Sequence, residues 1–225
     1  MRILYTLIVV GSLAACQSTP TLQSGPDAEI GPEGLVRVDN TSLDVVFLRP
    51  GIDLSSYDSI MLVGAGINYR SVREANNLRL ANADEFPLDD RQKETIEAAV
   101  IEVFEEEMAE SNRYRLVLEP GPDTLSLSGA LIDVVSYIPP ERVGRVSYYL
   151  SSLGAATLLL ELRDSESGQL LARAADGRTI ETDTFVESNR VSNRFELERD
   201  LDRWADRVRA ALEYVLDTPV LPVAE

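Results

Sequence analysis

The residues ILYTLIVVGSLAA at 3–15 are almost wholly apolar, and they stop at the only cysteine of the 225-residue chain, Cys16. No other feature constrains the fold as much. A bilayer-spanning helix needs roughly 20 apolar residues, so the run is too short to span comfortably. Arg2 gives it a positive start, and small residues precede the cysteine. Positive n-region, short apolar h-region and small-residue cleavage site are the parts of a secretory signal. The run therefore belongs to export, and the folded body comes after it. No later stretch is long enough to cross a membrane. The longest, LGAATLLLEL at 153–162, alternates and carries a charge, and it reads as a strand.

Leu13-Ala14-Ala15-Cys16 resembles the lipobox of bacterial lipoproteins. The resemblance implies that the Cys16 sulfur takes a diacylglyceryl group and that a peptidase cuts after Ala15. It also implies acylation of the new Cys16 amine, as with palmitate. A thiolate is the natural nucleophile for making a thioether, and small side chains at 14 and 15 fit a narrow protease site. One acyl chain holds a protein only marginally, at about 0.8 kcal/mol per buried methylene, whereas two or three on one residue make a stable anchor. By resemblance to lipoprotein sorting in two-membrane bacteria, where an Asp at this position favours inner-membrane retention, Gln17 implies the outer membrane with the body facing the periplasm.

Composition narrows the chemistry. The chain carries 38 acidic and 21 basic residues, a net charge of −17, and loss of Arg2 with residues 1–15 takes it to −18. Such a surface disfavours nucleic acid, whose binding rests on Lys and Arg neutralising phosphates. It also disfavours lying flat on an anionic leaflet. There is no histidine, which removes Ser-His-Asp and Cys-His nucleophiles and imidazole metal sites. Lipidation of Cys16 leaves no thiol for disulfides, catalysis or zinc. No cofactor is expected.

The expected organisation is a signal peptide at 1–15, a lipidated cysteine and flexible tether at 16–33, one domain at 34–217, and a tail at 218–225. The tether, QSTPTLQSGPDAEIGPE at 17–33, lacks apolar periodicity and has the composition of a flexible coil, with a root-mean-square span of roughly 20–25 Å. Strands are expected at 43–48, 59–67, 114–119 and 124–135, with a slip of phase at Gly129 read as a bulge. TLLLELRDSESGQLLARA at 157–174 reads as a hairpin. A helix is predicted over 89–111, capped by Asp89 with Gln92 as the return partner, and Ile96, Ala99, Val100, Val103, Phe104 and Met108 on one face. A second is predicted over about 193–217, capped by Asn193, with Phe195, Leu201, Trp204, Ala205, Val208, Leu212 and Val215 as its buried stripe. The order β-β-α-β-β-β-β-α predicts an α+β fold, a two-layer sandwich of a mixed sheet of about six strands with two amphipathic helices on one face.

GLVRVDNTSLDVVFLRPGIDLSSYDSIMLV (34–63), EPGPDTLSLSGALIDV (119–134) and SGQLLARAADGR (167–178) look like the bacterial lipoproteins grouped as domain of unknown function 3313. These motifs are turn and strand signatures, so the resemblance implies the anchor and the single domain and carries no catalytic residue.

GAG at 64–66 follows a strand, but the third glycine of a dinucleotide loop is missing and no helix starts nearby. A strand-ending turn is the better reading. The only lysine, Lys93, lies mid-helix, which removes a Walker loop. Asp133 interrupts an apolar strand and is the foremost acid for carboxylate chemistry, although a solvated strand face accounts for it as well. Glu102, Glu105, Glu106, Glu107 and Glu110 crowd the end of the first helix, against its dipole. They read as a solvated face relieved by Arg113 and Arg115, or else as a patch for divalent cations or a basic partner. Two segments, 67–79 and 137–149, combine Tyr and Arg as interface hot spots do. Tyr69, Arg70, Arg73, Arg142, Arg145, Tyr148 and Tyr149 are the interaction residues expected from them; the equal alternative is that the arginines pair with surrounding acids and the tyrosines fill core edges.

Two functions follow. The first is a non-enzymatic envelope lipoprotein, held to the membrane by covalent lipid and docking on an envelope protein. The second is a carboxylate-based binder or hydrolase of cell-wall glycan.

Overall fold

The computed structural model describes residues 19–72, 85–139, 149–187 and 189–224. Ala15 and Cys16, the cleavage and lipidation positions, lie outside the described residues, as do Arg73, Arg142, Arg145 and Tyr148. Of Tyr149 the backbone alone is described.

The fold is mixed α+β. Strands β1 (Thr21–Leu22), β2 (Val36–Asp39), β3 (Val45–Leu48), β4 (Ser59–Tyr69), β5 (Arg115–Val117), β6 (Thr124–Ser136), β7 (Tyr149–Asp164) and β8 (Leu170–Glu187) form one sheet in the order β1-β2-β3-β8-β7-β6-β4-β5. Helices α1 (Asp90–Ala109) and α2 (Arg190–Asp217) complete it. β4 runs parallel to β5 and β6, and the other neighbours are antiparallel. The expected element order holds, with two strands added in front, so the sheet has eight strands where about six were expected.

Alternation sorts the sheet into two faces. Ile60, Leu125, Leu127, Leu158, Leu160 and Leu162 share one buried cluster with Ala99, Val103 and Met108 of α1 and Leu201, Trp204, Ala205, Val208, Leu212 and Leu216 of α2. Both helices therefore cover the same face. α1 begins as its sequence requires. The Asp89 carboxylate accepts the Gln92 N–H, and the Gln92 side chain accepts the Asp89 N–H, each at 2.8 Å. α2 begins earlier than expected. Asn189, and not Asn193, takes the capping position, its Oδ1 accepting the Ser192 N–H at 3.0 Å. Phe195, assigned to the buried stripe, is 62 % exposed. With the helix starting a turn earlier, it projects from the first turns, ahead of the segment that meets the sheet.

The helices are also joined by charge. Arg209 of α2 donates to Glu107 of α1 at 2.7 Å and pairs with Asp206 and Glu213 on its own helix. This, and not Arg113 or Arg115, is what relieves the acidic end of α1. Arg113 is taken by Asp217 at 2.6 Å and by the Ser55, Tyr57 and Leu216 carbonyls, and Arg115 by Asp58 at 3.2 Å. Within α2, Glu196–Arg199, Asp200–Arg203 and Asp206–Arg209 pair at i,i+3, at 2.5, 3.2 and 2.7 Å.

A buried carboxylate locks α2 to the sheet. Asp176 of β8 is 1 % exposed and accepts from Trp204 Nε1 at 2.8 Å, the Asp44 N–H at 3.0 Å and the Arg178 guanidinium at 2.8 and 3.0 Å. Asp44 answers by accepting the Gly177 N–H at 2.9 Å. A buried charge is stable only when paired and hydrogen-bonded, and here the partners come from β8 itself, from α2 and from the residue before β3.

The ends of the chain correct the expected boundaries. Residues 19–33 were assigned to the tether and 218–225 to a tail, yet 19–33 and 218–224 join the body. Thr21 and Leu22 pair with β2. The Leu22 N–H donates to the Pro222 carbonyl and the Ala224 N–H to the Leu22 carbonyl, both at 2.8 Å, while Leu22 and Leu221 are buried. An edge strand leaves backbone groups open to pairing, and here residues 222–224 close it.

Candidate functional site

Four of the strands carry the chain to one end of the sheet. β4 and β6 run there in parallel, β7 begins there and β8 finishes there. The segments that combine Tyr and Arg are therefore rooted side by side: 67–79 leaves β4, and 137–149 joins β6 to β7.

The register explains how this end is shaped. β4 was expected to stop at GAG, but it continues through it as a bulge. Gly64 lies opposite Gly129, Ile67 opposite Leu131, and Gly66 between them has φ 90°. That left-handed backbone is open to glycine at no steric cost. The compensating bulge lies on β6. It falls at Asp133 and not at Gly129, which stays in register with Leu160. Asp133 has φ 57°, a conformation in which Asp is among the tolerated non-glycine residues. The extra residue moves Val134 onto the core face, so Leu131 and Val134 are buried and Asp133 is exposed. The inward residues are thus Leu125, Leu127, Leu131 and Val134: a slip of phase at Gly129 would have turned Ala130 and Ile132 inward, whereas the slip at Asp133 leaves Leu131 there and brings in Val134.

The exposed acid has a partner. Arg70 Nε donates to Asp133 Oδ1 at 2.7 Å, and a terminal nitrogen donates to Oδ2. The other terminal nitrogen pairs with Glu85 Oε1 at 2.5 Å. A guanidinium presents its donors in a planar fork that matches a carboxylate. The backbone supports it, with the Arg70 N–H donating to the Val134 carbonyl at 2.9 Å and the Phe86 N–H to the Ser136 carbonyl at 2.8 Å. Hydrogen bonding by Arg70 holds the Asp133 carboxyl below its ordinary value, and bonding to Asp133 and Glu85 raises Arg70. Asp133 thus stays ionised with its lone pairs engaged, which suits neither a general acid nor a free base.

Tyr69 faces α1. Its hydroxyl donates to the Lys93 carbonyl at 3.3 Å, and the Lys93 ammonium lies 5.5 Å from the ring centroid. Burial, and then the Glu97 charge, push its phenol up to about 12. Tyr69 and Arg70 therefore form the base of this end of the sheet.

Two contributors carried little signal in sequence. Glu85 lies in a polar stretch without periodicity. Asp176 was legible only as an acid at an inward position after Ala172 and Ala174. Beside it, a shallow groove of about 190 Å³ between β8 and α2 is lined by Arg178, Arg203, Arg207, Glu181 and Asp200, among others. Its charges are matched internally: Arg178 and Arg207 face Asp176 at 2.8 and 3.9 Å, and Arg203 faces Asp200 at 3.2 Å. Among the described residues no group of three acids is placed to hold a metal ion, and no helix is long and apolar enough to cross a membrane.

No curated protein matches the sequence. Solved structures do match at low identity. The PelC dodecamer from Paraburkholderia phytofirmans is 13 % identical with a TM-score of 0.36, covering 75 % of this chain and 96 % of its own. Protein XCC0632 from Xanthomonas campestris is 10 % identical with a TM-score of 0.40, covering 75 % and 90 %. The hypothetical protein CT253 from Chlamydia trachomatis is 10 % identical with a TM-score of 0.40, covering 72 % and 98 %. A family model matches residues 32–208, most of the folded body, and the chain belongs to that family, the proteins of unknown function DUF3313.

Proposed function

We propose that this protein is a lipid-anchored module of the bacterial envelope that binds a partner and does not convert a substrate. Cys16 carries the lipid after cleavage behind Ala15, the anchor lies in the outer membrane, and the domain faces the periplasm. The docking surface is the end of the sheet at which Tyr69 and Arg70 lie. Arg73 follows β4, and Arg142, Arg145, Tyr148 and Tyr149 lie along the β6–β7 connection.

The observation that carries the binding reading is the Arg70 fork. It commits Asp133, the acid foremost for carboxylate chemistry, to an ion pair with Arg70, which also pairs with Glu85. That arrangement is a poor proton donor and a good brace for the segments that start beside it.

Native membranes test both parts. Replacing Cys16→Ala moves the protein from the membrane to the soluble fraction, and retention in the membrane contradicts the anchor. Crosslinking in intact cells, followed by identification of the attached proteins, compares the parent with an Arg142→Glu/Arg145→Glu variant. Loss of a specific partner at an unchanged melting temperature supports the docking surface; capture of the same partners contradicts it.

A further inference from the structure

We infer that the β1 edge of the sheet, with the chain's residues 220–224 strapped along it, is the side that faces the bilayer. The inference rests on lipidation at Cys16, and it adds an orientation and a membrane-contacting surface to that reading.

Chain length sets the first limit. Six peptide steps separate Cys16 from Leu22, a contour of at most about 22 Å. Leu22 is held on both sides, by β2 and by the Pro222 and Ala224 backbone. The lipid therefore cannot lie farther than that from a fixed point on the β1 edge. A tether reaching to residue 33 would have left the body free to turn.

The sheet then excludes one end. Leu22 is level with Val38, Val46, Ala174 and Leu160 in successive registers. From Leu160, β7 continues eleven residues to Tyr149, about 36 Å at 3.3 Å per residue. β1 is traversed so that the preceding residues head towards this end, but a 22 Å contour does not clear it. The end bearing Arg70 is thus held clear of the bilayer and open to a protein partner.

Charge and polarity choose among the remaining sides. The glutamates of α1 are exposed at 94, 97, 102, 105 and 106, as is Glu110 just beyond its end, and α1 contacts β5, the opposite edge from β1. An anionic leaflet repels that layer. The β1 side carries exposed apolar residues beside the tether, Ile30 at 65 % and Val220 and Val223 at 56 % each, along with the exposed Asp27 and Glu29; Ile101 and Leu118 are exposed as well, but Ile101 stands among the α1 glutamates and Leu118 follows β5 at the far edge, beyond the reach of the tether. Ile30 bridges to Val36 and Val223 to Leu22, which places both beside the outer strands. The surface fits the headgroup region of a bilayer to which lipid already holds it.

Full-length protein purified from membranes tests this in vesicles of phosphatidylethanolamine and phosphatidylglycerol containing a headgroup nitroxide quencher. A thioether at Cys16 does not react with maleimide, so one introduced cysteine takes one fluorophore. The positions are Asp27→Cys on the β1 side, Val63→Cys on the sheet face opposite the helices, Glu105→Cys on α1 and Glu119→Cys beyond β5. β5 lies seven strand spacings from β1, about 34 Å. The label at 27 is expected to be quenched several-fold more than the other three. Equal or stronger quenching at 63, 105 or 119 overturns the orientation. The mass of each preparation separates the two failures: an acylated Cys16 with the wrong quenching pattern removes only the orientation, whereas an unmodified Cys16 removes the anchor and the orientation with it.

Discussion

Arg70 and Asp133 stand 63 residues apart in the chain and meet as a two-pronged ion pair, with the arginine closing the end of β4 over the bulge in β6. The pair joins backbone geometry to side-chain chemistry. The bulge turns Asp133 out of the alternation, and the fork holds it there.

Substitutions at 133 should rank by their tolerance of φ 57°. Every replacement loses the ion pair, and since Asn alone keeps an oxygen that can accept from Arg70, the comparison of Gly with Val reports the backbone. Asn and Gly accept a left-handed conformation, whereas a β-branched side chain is strained in it. Thermal melts of Asp133→Asn, Asp133→Gly and Asp133→Val should place Val lowest. A valine variant as stable as the glycine one contradicts the bulge.

Asp176 and Trp204 should show the cost of breaking a buried charge network. Asp176→Ala leaves the Arg178 guanidinium and Trp204 Nε1 without their acceptor. Removing one partner of a buried pair costs about 3–5 kcal/mol, while losing one hydrogen bond, as in Trp204→Phe, costs about 1–3 kcal/mol. Urea unfolding of both variants checks the order.

Gly154 should resist even a methyl group. A Cβ there would lie 2.3 Å from the Val135 carbonyl oxygen, which is backbone and has little room to move. Gly154→Ala should destabilise by about 1–3 kcal/mol, as overpacking does. It should also loosen the β6–β7 pairing near Ser136, seen as faster amide exchange there. Gly129, where a Cβ would meet Leu160 at 3.4 Å, should accept alanine far better.

Alkali should unfold the protein through its tyrosines. Burial, foremost, pushes Tyr57, Tyr69 and Tyr114 up to about 12, and Tyr57 also donates to Asp164 at 2.9 Å. A phenol with a raised folded value favours the fold below the ordinary value of about 10 and loses that contribution as the pH climbs. Stability should fall between pH 10 and 12, and phenolate absorbance should show three of the seven tyrosines that remain after loss of residues 1–15 ionising late. Ionisation of all of them near pH 10 with the fold intact contradicts this.

Much of this fold was legible because its strongest signals are local. The capping box at Asp89 and Gln92, the apolar run of β4 and the leucines at 158, 160 and 162 each name their structure within a few residues. What escaped depends on distant partners. Thr21 and Leu22 become a strand only because β2 and residues 222–224 lie on either side. The bulge at Asp133 is fixed by β4 and Arg70, so the phase change was read four residues early, at the nearest glycine. β7 begins earlier, through YLSS at 149–152, and β8 extends through GRTIETDTFVE, whose small and polar residues carry a weak strand pattern. At the candidate site, Tyr and Arg were visible as residue types, but the fork that engages Arg70 required Glu85, which no periodicity marks.

The intact mass of the protein purified from its native membrane tests the central claim most directly. The account predicts a chain that begins at Cys16, lacks residues 1–15 and carries the added mass of a diacylglyceryl group and an amide-linked acyl chain. A chain that retains residues 1–15 with a free thiol at Cys16 contradicts it.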